Sequence, residues 1–137
     1  MISSKRATLR WTGEGDVFLG QSGSSPEITL DGTDVLGPSP MDAVLLGVMT
    51  CMGVDIRMIL EKGRVPFESL EMDAEAHRAE TPPKYFTRLL LSLRLIGPGE
   101  ENRDKVQRAI ELSRDKYCSA LNSLRPDLDL EIRIEAL

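Results

Sequence analysis

One segment constrains the fold of this chain more than any other: a long apolar helix is predicted from Ser39 to Lys62. Ser39 can cap the helix, and Pro40 suits its first position, where no backbone N–H group is needed. Asp42 lies three residues after the cap, so its carboxylate can reach back to the cap and meets the positive end of the helix dipole. Gly63 then supplies the stop signal.

The middle of this helix, from Val44 to Val54, is apolar on nearly every side. A surface helix needs only an apolar stripe, so we expect this helix to be buried on most sides, either in the centre of the fold or between subunits. No uninterrupted apolar run approaches the ~20 residues that span a bilayer, and the first residues lack the apolar core of a secretory signal. We therefore expect no membrane-spanning segment.

Segments with strand character flank the helix on both sides. Three short strands with glycine-rich turns are predicted before it, at 7–11, 17–19 and 27–30, with 20–25 as a turn. After it come two alternating strands around 70–77 and 89–95, a helix from 100 to about 124, and a last strand from 128. The order βββ-α-ββ-α-β lacks repeated βαβ units, which predicts an α+β fold, and 137 residues suit a single domain over 1–137.

Composition excludes several classes of function. The chain has a net charge of -5, with 17 basic residues interleaved among 22 acidic ones, so no basic face for nucleic acid is expected. One histidine leaves zinc chemistry short of ligands, and no phosphate loop or nucleotide fingerprint is present, so we expect no cofactor. Two cysteines without an export signal favour reduced thiols in the cytoplasm.

The two cysteines are the candidates for chemistry. Cys51 lies in the middle of the long helix and is either a small buried apolar residue or a nucleophile, which would need a nearby cation. Cys118 falls late in the second predicted helix, where Arg114 shares its face and either favours the thiolate or pairs with Asp115, Glu111 or solvent. Such a pair fits both a peroxidatic and resolving couple and two core residues, since the sequence does not give their distance.

Several motifs together resemble one protein family. The run Gly37-Pro38-Ser39-Pro40-Met41-Asp42, followed by Leu45-Leu46 and Cys51, resembles the first-cysteine helix of the OsmC/Ohr proteins. Tyr117-Cys118-Ser119 resembles the second-cysteine motif of that family. Other short motifs, among them Leu60-Glu61-Lys62-Gly63-Arg64, are similar to a branch found in enteric bacteria. The resemblance covers nearly the whole chain.

The resemblance implies an intertwined homodimer whose long central helices pack together. It also implies thiol-dependent reduction of organic hydroperoxides, in which Cys51 attacks the peroxide, Cys118 resolves the sulfenic acid as a disulfide, and a dithiol reductant restores both thiols. In the family, an arginine of the N-terminal strands and a glutamate at the start of the first-cysteine helix activate the thiolate. The nearest substitutes in this chain are Asp42 for the glutamate and Arg10, Arg6 or Arg78 for the arginine.

Two alternatives stay open at this point. The same dimer could bind an apolar, acyl-like ligand while both thiols stay inert, or Cys51 could react without turnover as a redox sensor. The expected partners are a second copy of the chain and a small hydrophobic peroxide or acyl-like ligand, together with the dithiol reductant. Neither a nucleic acid nor a membrane is expected as a partner.

Overall fold

The computed structural model describes residues 4–137. The chain forms two compact units, Met1–Leu46 and Gly47–Leu137, and the boundary between them falls within the first long helix. The elements, in chain order, are β1 (Ala7–Trp11), β2 (Val17–Ser22), β3 (Ile28–Asp31), α1 (Pro40–Lys62), β4 (Ser69–Arg78), β5 (Phe86–Ile96), α2 (Arg103–Leu112) and β6 (Asp129–Ala136). The α+β class and the order of the main elements are confirmed, while a single domain stays a prediction.

The N-terminal unit contains an antiparallel meander in the order β1-β2-β3. Strand β2 continues to Ser22, so the prediction of a turn beginning at Gly20 was wrong. Gly20 pairs with Leu9 in the ladder, and this pairing outweighs the tendency of the glycine and serine residues to form a turn. Leu9 and Trp11 of β1 are more than half exposed within one chain.

The C-terminal unit contains a second sheet in the order β4-β5-β6, with β4 antiparallel and β6 parallel to β5. Strand β5 alternates strictly, and its inward side chains, Leu89, Leu91, Leu93 and Leu95, are all fully buried. The core of this unit joins β5 to α1 and α2. Its buried cluster consists of Ile56, Leu60, Val65, Leu93, Leu95, Val106, Ala109 and Ile110.

Helix α1 begins and ends where the cap and stop signals placed it. Within one chain it buries a single stripe at four-residue spacing, namely Val48, Met52, Ile56 and Leu60. Other apolar side chains of the helix stay between 39% and 51% exposed, namely Val44, Leu46, Val54 and Met58. By length and composition alone α1 could cross a bilayer, a test that the core helices of soluble proteins also pass. Within one chain α1 is therefore buried along one stripe, and the predicted burial on most of its sides is not reached.

The second helix is shorter than the predicted span from Glu100 to Leu124. A 3₁₀ turn at Glu100–Asn102 leads into α2, and a π-helical turn at Ser113–Tyr117 ends the helical run. Cys118 follows in extended backbone (φ -72°, ψ 101°), so the prediction that it lies on a helix was wrong. The apolar stripe continues past this point in sequence, so its period gave no sign of the break.

Candidate active site

Cys51 lies half-buried on α1, and Asp55 follows it by one turn of the helix. Residues four positions apart project from the same face of a helix, so the thiol and the carboxylate are neighbours. Both residues belong to the C-terminal unit. The long helix therefore presents a sulfur and a negative charge together.

The π-helical turn positions Cys118 opposite this face. In such a turn the hydrogen bond spans five residues, and here the N–H of Cys118 donates to the carbonyl of Ser113 at 2.8 Å. The Ser113 hydroxyl is fully buried and donates to the Asp55 carboxylate at 2.9 Å. One serine therefore connects the π turn to α1 and fixes the orientation of the carboxylate.

The structure brings the two cysteines together. The sulfurs of Cys51 and Cys118 and a carboxylate oxygen of Asp55 all lie within 4.8 Å of one another. A disulfide needs its sulfurs at ~2.05 Å, so the gap to be closed is a few ångström at most. The sequence did not give the distance between the two cysteines. In the structure they form one cluster with the carboxylate of Asp55.

The two sulfurs have different surroundings. Burial raises the pKa of the Cys118 thiol to about 11, and a hydrogen bond to Cys51 and the negative charge of Asp55 act in the same direction. The backbone N–H of Leu121 donates to the Cys118 sulfur at 3.3 Å and opposes this rise. Cys118 therefore keeps its proton at neutral pH.

An apolar pocket of about 310 Å³ adjoins the cluster and shares Asp55 with it. Its lining consists of Asp55, Met58, Ile59, Lys62, Leu112 and Tyr117. Pockets of this size hold small ligands, and an apolar wall with a few charged groups at its edge suits an amphipathic molecule. The pocket belongs entirely to the C-terminal unit, like the cysteines.

The predicted activating residues have other partners. Asp42 belongs to the helix cap, where its N–H donates to the Ser39 hydroxyl at 3.3 Å and its carboxylate accepts from that hydroxyl at 2.8 Å. The predicted arginines are engaged as follows: Arg10 with Glu27 at 3.6 Å, Arg78 with the Lys84 carbonyl at 2.8 Å, and Arg114 with both carboxylate oxygens of Asp115 at 2.7 and 2.9 Å. Within residues 47–137, neither sulfur receives a hydrogen bond or ion pair from a lysine or arginine. Roles for Asp42, Arg10 and Arg78 at the thiols stay predictions.

Sequence reasoning missed two members of the cluster, Asp55 and Ser113. The spacing of Asp55, four residues after Cys51, was a usable signal, because it places a charge beside the thiol. Ser113 was visible as a polar residue within an otherwise apolar helical stripe. A buried serine needs a hydrogen-bond partner, which here is the carboxylate.

An α+β fold that brings a buried thiol and a partly exposed thiol together beside an apolar pocket defines a candidate thiol-redox protein. Residues 31–133 match the family described as OsmC-like protein. Protein YhfA of Escherichia coli K12 is 38% identical over 116 residues, which cover 83% of this chain and 84% of YhfA. The chain belongs to the OsmC-like protein family.

Solved structures share the fold over its full length. A hypothetical protein from Aquifex aeolicus VF5 superposes with a TM-score of 0.86 and 28% identity, covering 99% of this chain and 98% of that one. The organic hydroperoxide resistance protein OsmC from Legionella pneumophila gives a TM-score of 0.68 and 18% identity, with 98% of both chains covered. The identity to the Legionella protein is low, so this likeness concerns the fold.

Proposed function

We propose that this chain is a thiol peroxidase that reduces organic hydroperoxides in the reducing cytoplasm, with Cys51 as the peroxidatic and Cys118 as the resolving cysteine. One observation carries the proposal: the two sulfurs lie within 4.8 Å of each other on separate elements. Two core cysteines have no reason to meet, whereas a couple that must form a disulfide has to. The name of the Legionella protein, which has the same fold, agrees with this chemistry.

In the first step, the Cys51 thiolate attacks the outer oxygen of the hydroperoxide. The O–O bond breaks, the alkoxide leaves and takes up a proton to become the alcohol, and Cys51 becomes a sulfenic acid. Cys51 suits this role because it is partly exposed, whereas Cys118 is fully buried.

In the second step, Cys118 attacks the sulfenic sulfur. The S–S bond forms, the S–O bond breaks, and the oxygen leaves as water. The Cys118 thiol loses its proton in this step, and that proton leaves with the sulfenic oxygen as water. A dithiol reductant then supplies two electrons and two protons and restores both thiols.

The substrate class follows from the pocket beside the cluster. Its wall is mostly aliphatic and aromatic, including Met58, Ile59 and Leu112. An alkyl or aryl tail gains free energy by leaving water for such a wall, and hydrogen peroxide has no tail to bury. The proposed substrate is therefore a hydrophobic organic hydroperoxide.

The activating cation is part of the proposal. A nucleophilic thiolate needs positive charge nearby, and Asp55 supplies the opposite charge. We assign Arg10 or Arg78 to this role within a homodimer, in which the second copy offers further side chains to the cluster. The exposed apolar residues Val44, Leu46 and Val54 on α1 support the dimer, because a second α1 would cover them.

The experiment that tests the proposed function follows the thiols themselves. Reduced protein receives one equivalent of cumene hydroperoxide, and its intact mass is measured with and without an alkylating agent. We expect both alkylatable thiols to disappear within seconds and the chain to lose two hydrogen atoms in mass. Two thiols that stay alkylatable for many minutes would refute the proposal.

The dimer is tested separately by sedimentation at micromolar concentration. We expect a dimer for the natural chain and a monomer or an unstable chain for Val54→Glu, which places a charge on the proposed interface. Arg57→Gln is the matched control, because Arg57 is exposed on the same helix and pairs with Glu61. A natural chain that sediments as a monomer would contradict the dimer.

The pocket itself favours a second candidate function, the binding of an acyl-like ligand with inert thiols. An acyl chain would lie along the apolar wall, and Lys62 at the edge could pair with its carboxylate. Native mass spectrometry distinguishes the two functions. A stoichiometric lipid-like mass that co-purifies with the chain, together with unreactive thiols, would favour the binding protein.

A further inference from the structure

The cluster of Cys51, Asp55 and Cys118 has a second chemical capacity, which is metal binding. Three potential ligand atoms, two sulfurs and one carboxylate oxygen, lie within 4.8 Å of one another. Tetrahedral zinc sites hold sulfur at ~2.3 Å and carboxylate oxygen at ~2.0–2.2 Å from the ion, so their ligand atoms are separated by less than about 4 Å. Small side-chain movements would bring the three atoms to these distances.

The surroundings of the cluster resemble those of a prepared metal site. The Ser113 hydroxyl donates to Asp55 at 2.9 Å and orients the carboxylate, as the outer hydrogen bonds of metal ligands do. The N–H of Leu121 donates to the Cys118 sulfur at 3.3 Å, a contact that stabilises a negatively charged sulfur. These two contacts come from residues that are not needed as ligands.

The negative charge of the cluster also favours the binding of a cation. The carboxylate of Asp55 stands beside two groups that become anions when they lose their protons. A divalent cation would balance this negative charge. Thiolate ligands select zinc over magnesium or calcium.

We propose that the reduced chain binds one Zn²⁺ through the sulfurs of Cys51 and Cys118 and the carboxylate of Asp55. Both thiols release their protons on binding, and Ser113 holds Asp55 as a positioning residue. Three protein ligands leave the fourth position of the ion to water or to a ligand in the adjoining pocket. The members of this set come from two separate elements, so their spacing in the sequence does not reveal it.

Zinc binding and peroxide reduction make opposite demands on the same sulfurs. A metal-bound thiolate pair cannot close into a disulfide until the ion leaves, so zinc would protect the thiols and slow their oxidation. The binding proposal does not require that the chain turns over a peroxide. It requires only that both thiols are reduced.

The test uses full-length protein, reduced with a phosphine and kept free of oxygen. Zinc affinity and stoichiometry are measured by competition with a chromophoric chelator, and Co²⁺ replaces Zn²⁺ to give a thiolate-to-cobalt absorption band. We expect one ion per chain and a charge-transfer band that falls to about half in Cys51→Ser and in Cys118→Ser. Asp55→Asn, which keeps the size of the side chain, should weaken zinc binding by at least about 10-fold.

Two controls separate this site from a surface site. Glu61→Gln changes an exposed carboxylate on the same helix, and His77→Ala removes the histidine that lies beside Glu75 at 3.1 Å. Both variants should bind zinc as the natural chain does. Circular dichroism shows whether each variant is folded, and Asp55→Asn keeps the test decisive if a cysteine variant unfolds.

Either of two results would overturn the zinc proposal. The first is the absence of stoichiometric binding by the reduced natural chain. The second is binding that survives the loss of either cysteine and disappears in His77→Ala. Peroxide reduction is measured separately with a chelator present, so a negative result for zinc binding does not decide whether the chain reduces peroxides.

Discussion

The two cysteines teach more by their differences than by their shared chemistry. Cys51 lies on a regular helix and is partly exposed, whereas Cys118 is fully buried where a π turn gives way to extended chain. Burial raises the pKa of Cys118. The same side-chain type therefore has two different environments, because the local backbone decides which sulfur meets solvent and which is buried.

The comparison of the two cysteines is tested most strongly by the rate at which each cysteine variant reduces a hydroperoxide. Cys51→Ser should lower kcat/KM for cumene hydroperoxide by at least about 100-fold, or roughly 3 kcal/mol, because the nucleophile is gone. Cys118→Ser should still consume one equivalent of peroxide and then stop, leaving Cys51 heavier by one oxygen atom in the intact mass. Ser119→Ala, next to Cys118 and exposed, should turn over normally.

The opposite behaviour of the two variants would contradict the assignment of Cys51 as the nucleophile and Cys118 as the resolving cysteine. If Cys118→Ser lost the first reaction and Cys51→Ser kept it, the buried sulfur would be the nucleophile. Equal and full turnover by both variants would remove thiol chemistry from the mechanism altogether.

The unequal predictability of the two cysteines has a physical cause. The cap, the first position and the stop of α1 act within a few residues, so Cys51 was placed correctly on a helix that ends at Lys62. The π turn before Cys118 adds one residue to the helical ring, and Ser113 at the start of this turn donates a hydrogen bond to Asp55 of α1. That contact joins two elements, and local patterns carry no information about it.

The same contrast holds for the strands and for the apolar face of α1. The strict alternation of β5 correctly predicted its buried leucines. In a strand every second side chain points to the same face, so the apolar set can only be the face that packs on the core. The length of β2 was missed, since Gly20 is held by its partner Leu9 rather than by its own preference. Apolar residues on every side of α1 indicated burial but not what covers them.

The next effect concerns stability at alkaline pH. The pKa of Cys118 is raised in the folded chain, to about 11 from an ordinary value of 9.0, so folding favours the protonated thiol. Its contribution is complete below pH 9 and is lost as the pH rises toward 11, because the unfolded chain gives up this proton first. We expect the free energy of unfolding in urea to fall by about 1–3 kcal/mol over that interval.

Cys118→Ala is the control, since every other titrating group is unchanged in it. Its unfolding free energy should decline less steeply from pH 9 to 11 than that of the natural chain, with both proteins kept reduced. Parallel curves would mean that Cys118 already ionises in the folded state as it does in the unfolded state. The contrast between the two cysteines would then lose its electrostatic basis.

A smaller effect is expected from the serine that joins the two regions. Ser113→Ala removes the hydrogen bond to Asp55 and should cost about 1–2 kcal/mol in urea unfolding, because a partly buried carboxylate loses its donor. Ser123→Ala is the matched control: its exposed hydroxyl donates to the Ser119 carbonyl at 2.8 Å, and its loss should cost less than about 0.5 kcal/mol. If both variants lost the same free energy of unfolding, the Ser113–Asp55 hydrogen bond would contribute no more than an exposed one.

The smallest effect is the influence of Asp55 on the pKa of Cys118. In a Cys51→Ser background, Cys118 is the only cysteine, and its titration can be followed by the NMR shift of a labelled β-carbon. Asp55→Asn removes a negative charge that raises this pKa, so the double variant should titrate at lower pH than Cys51→Ser alone. Burial, the larger cause, stays in place, so the pKa should remain above the ordinary value of a thiol. A pKa that does not move would show that solvent screens the carboxylate from the sulfur, and the difference between the two cysteines would then rest on burial alone.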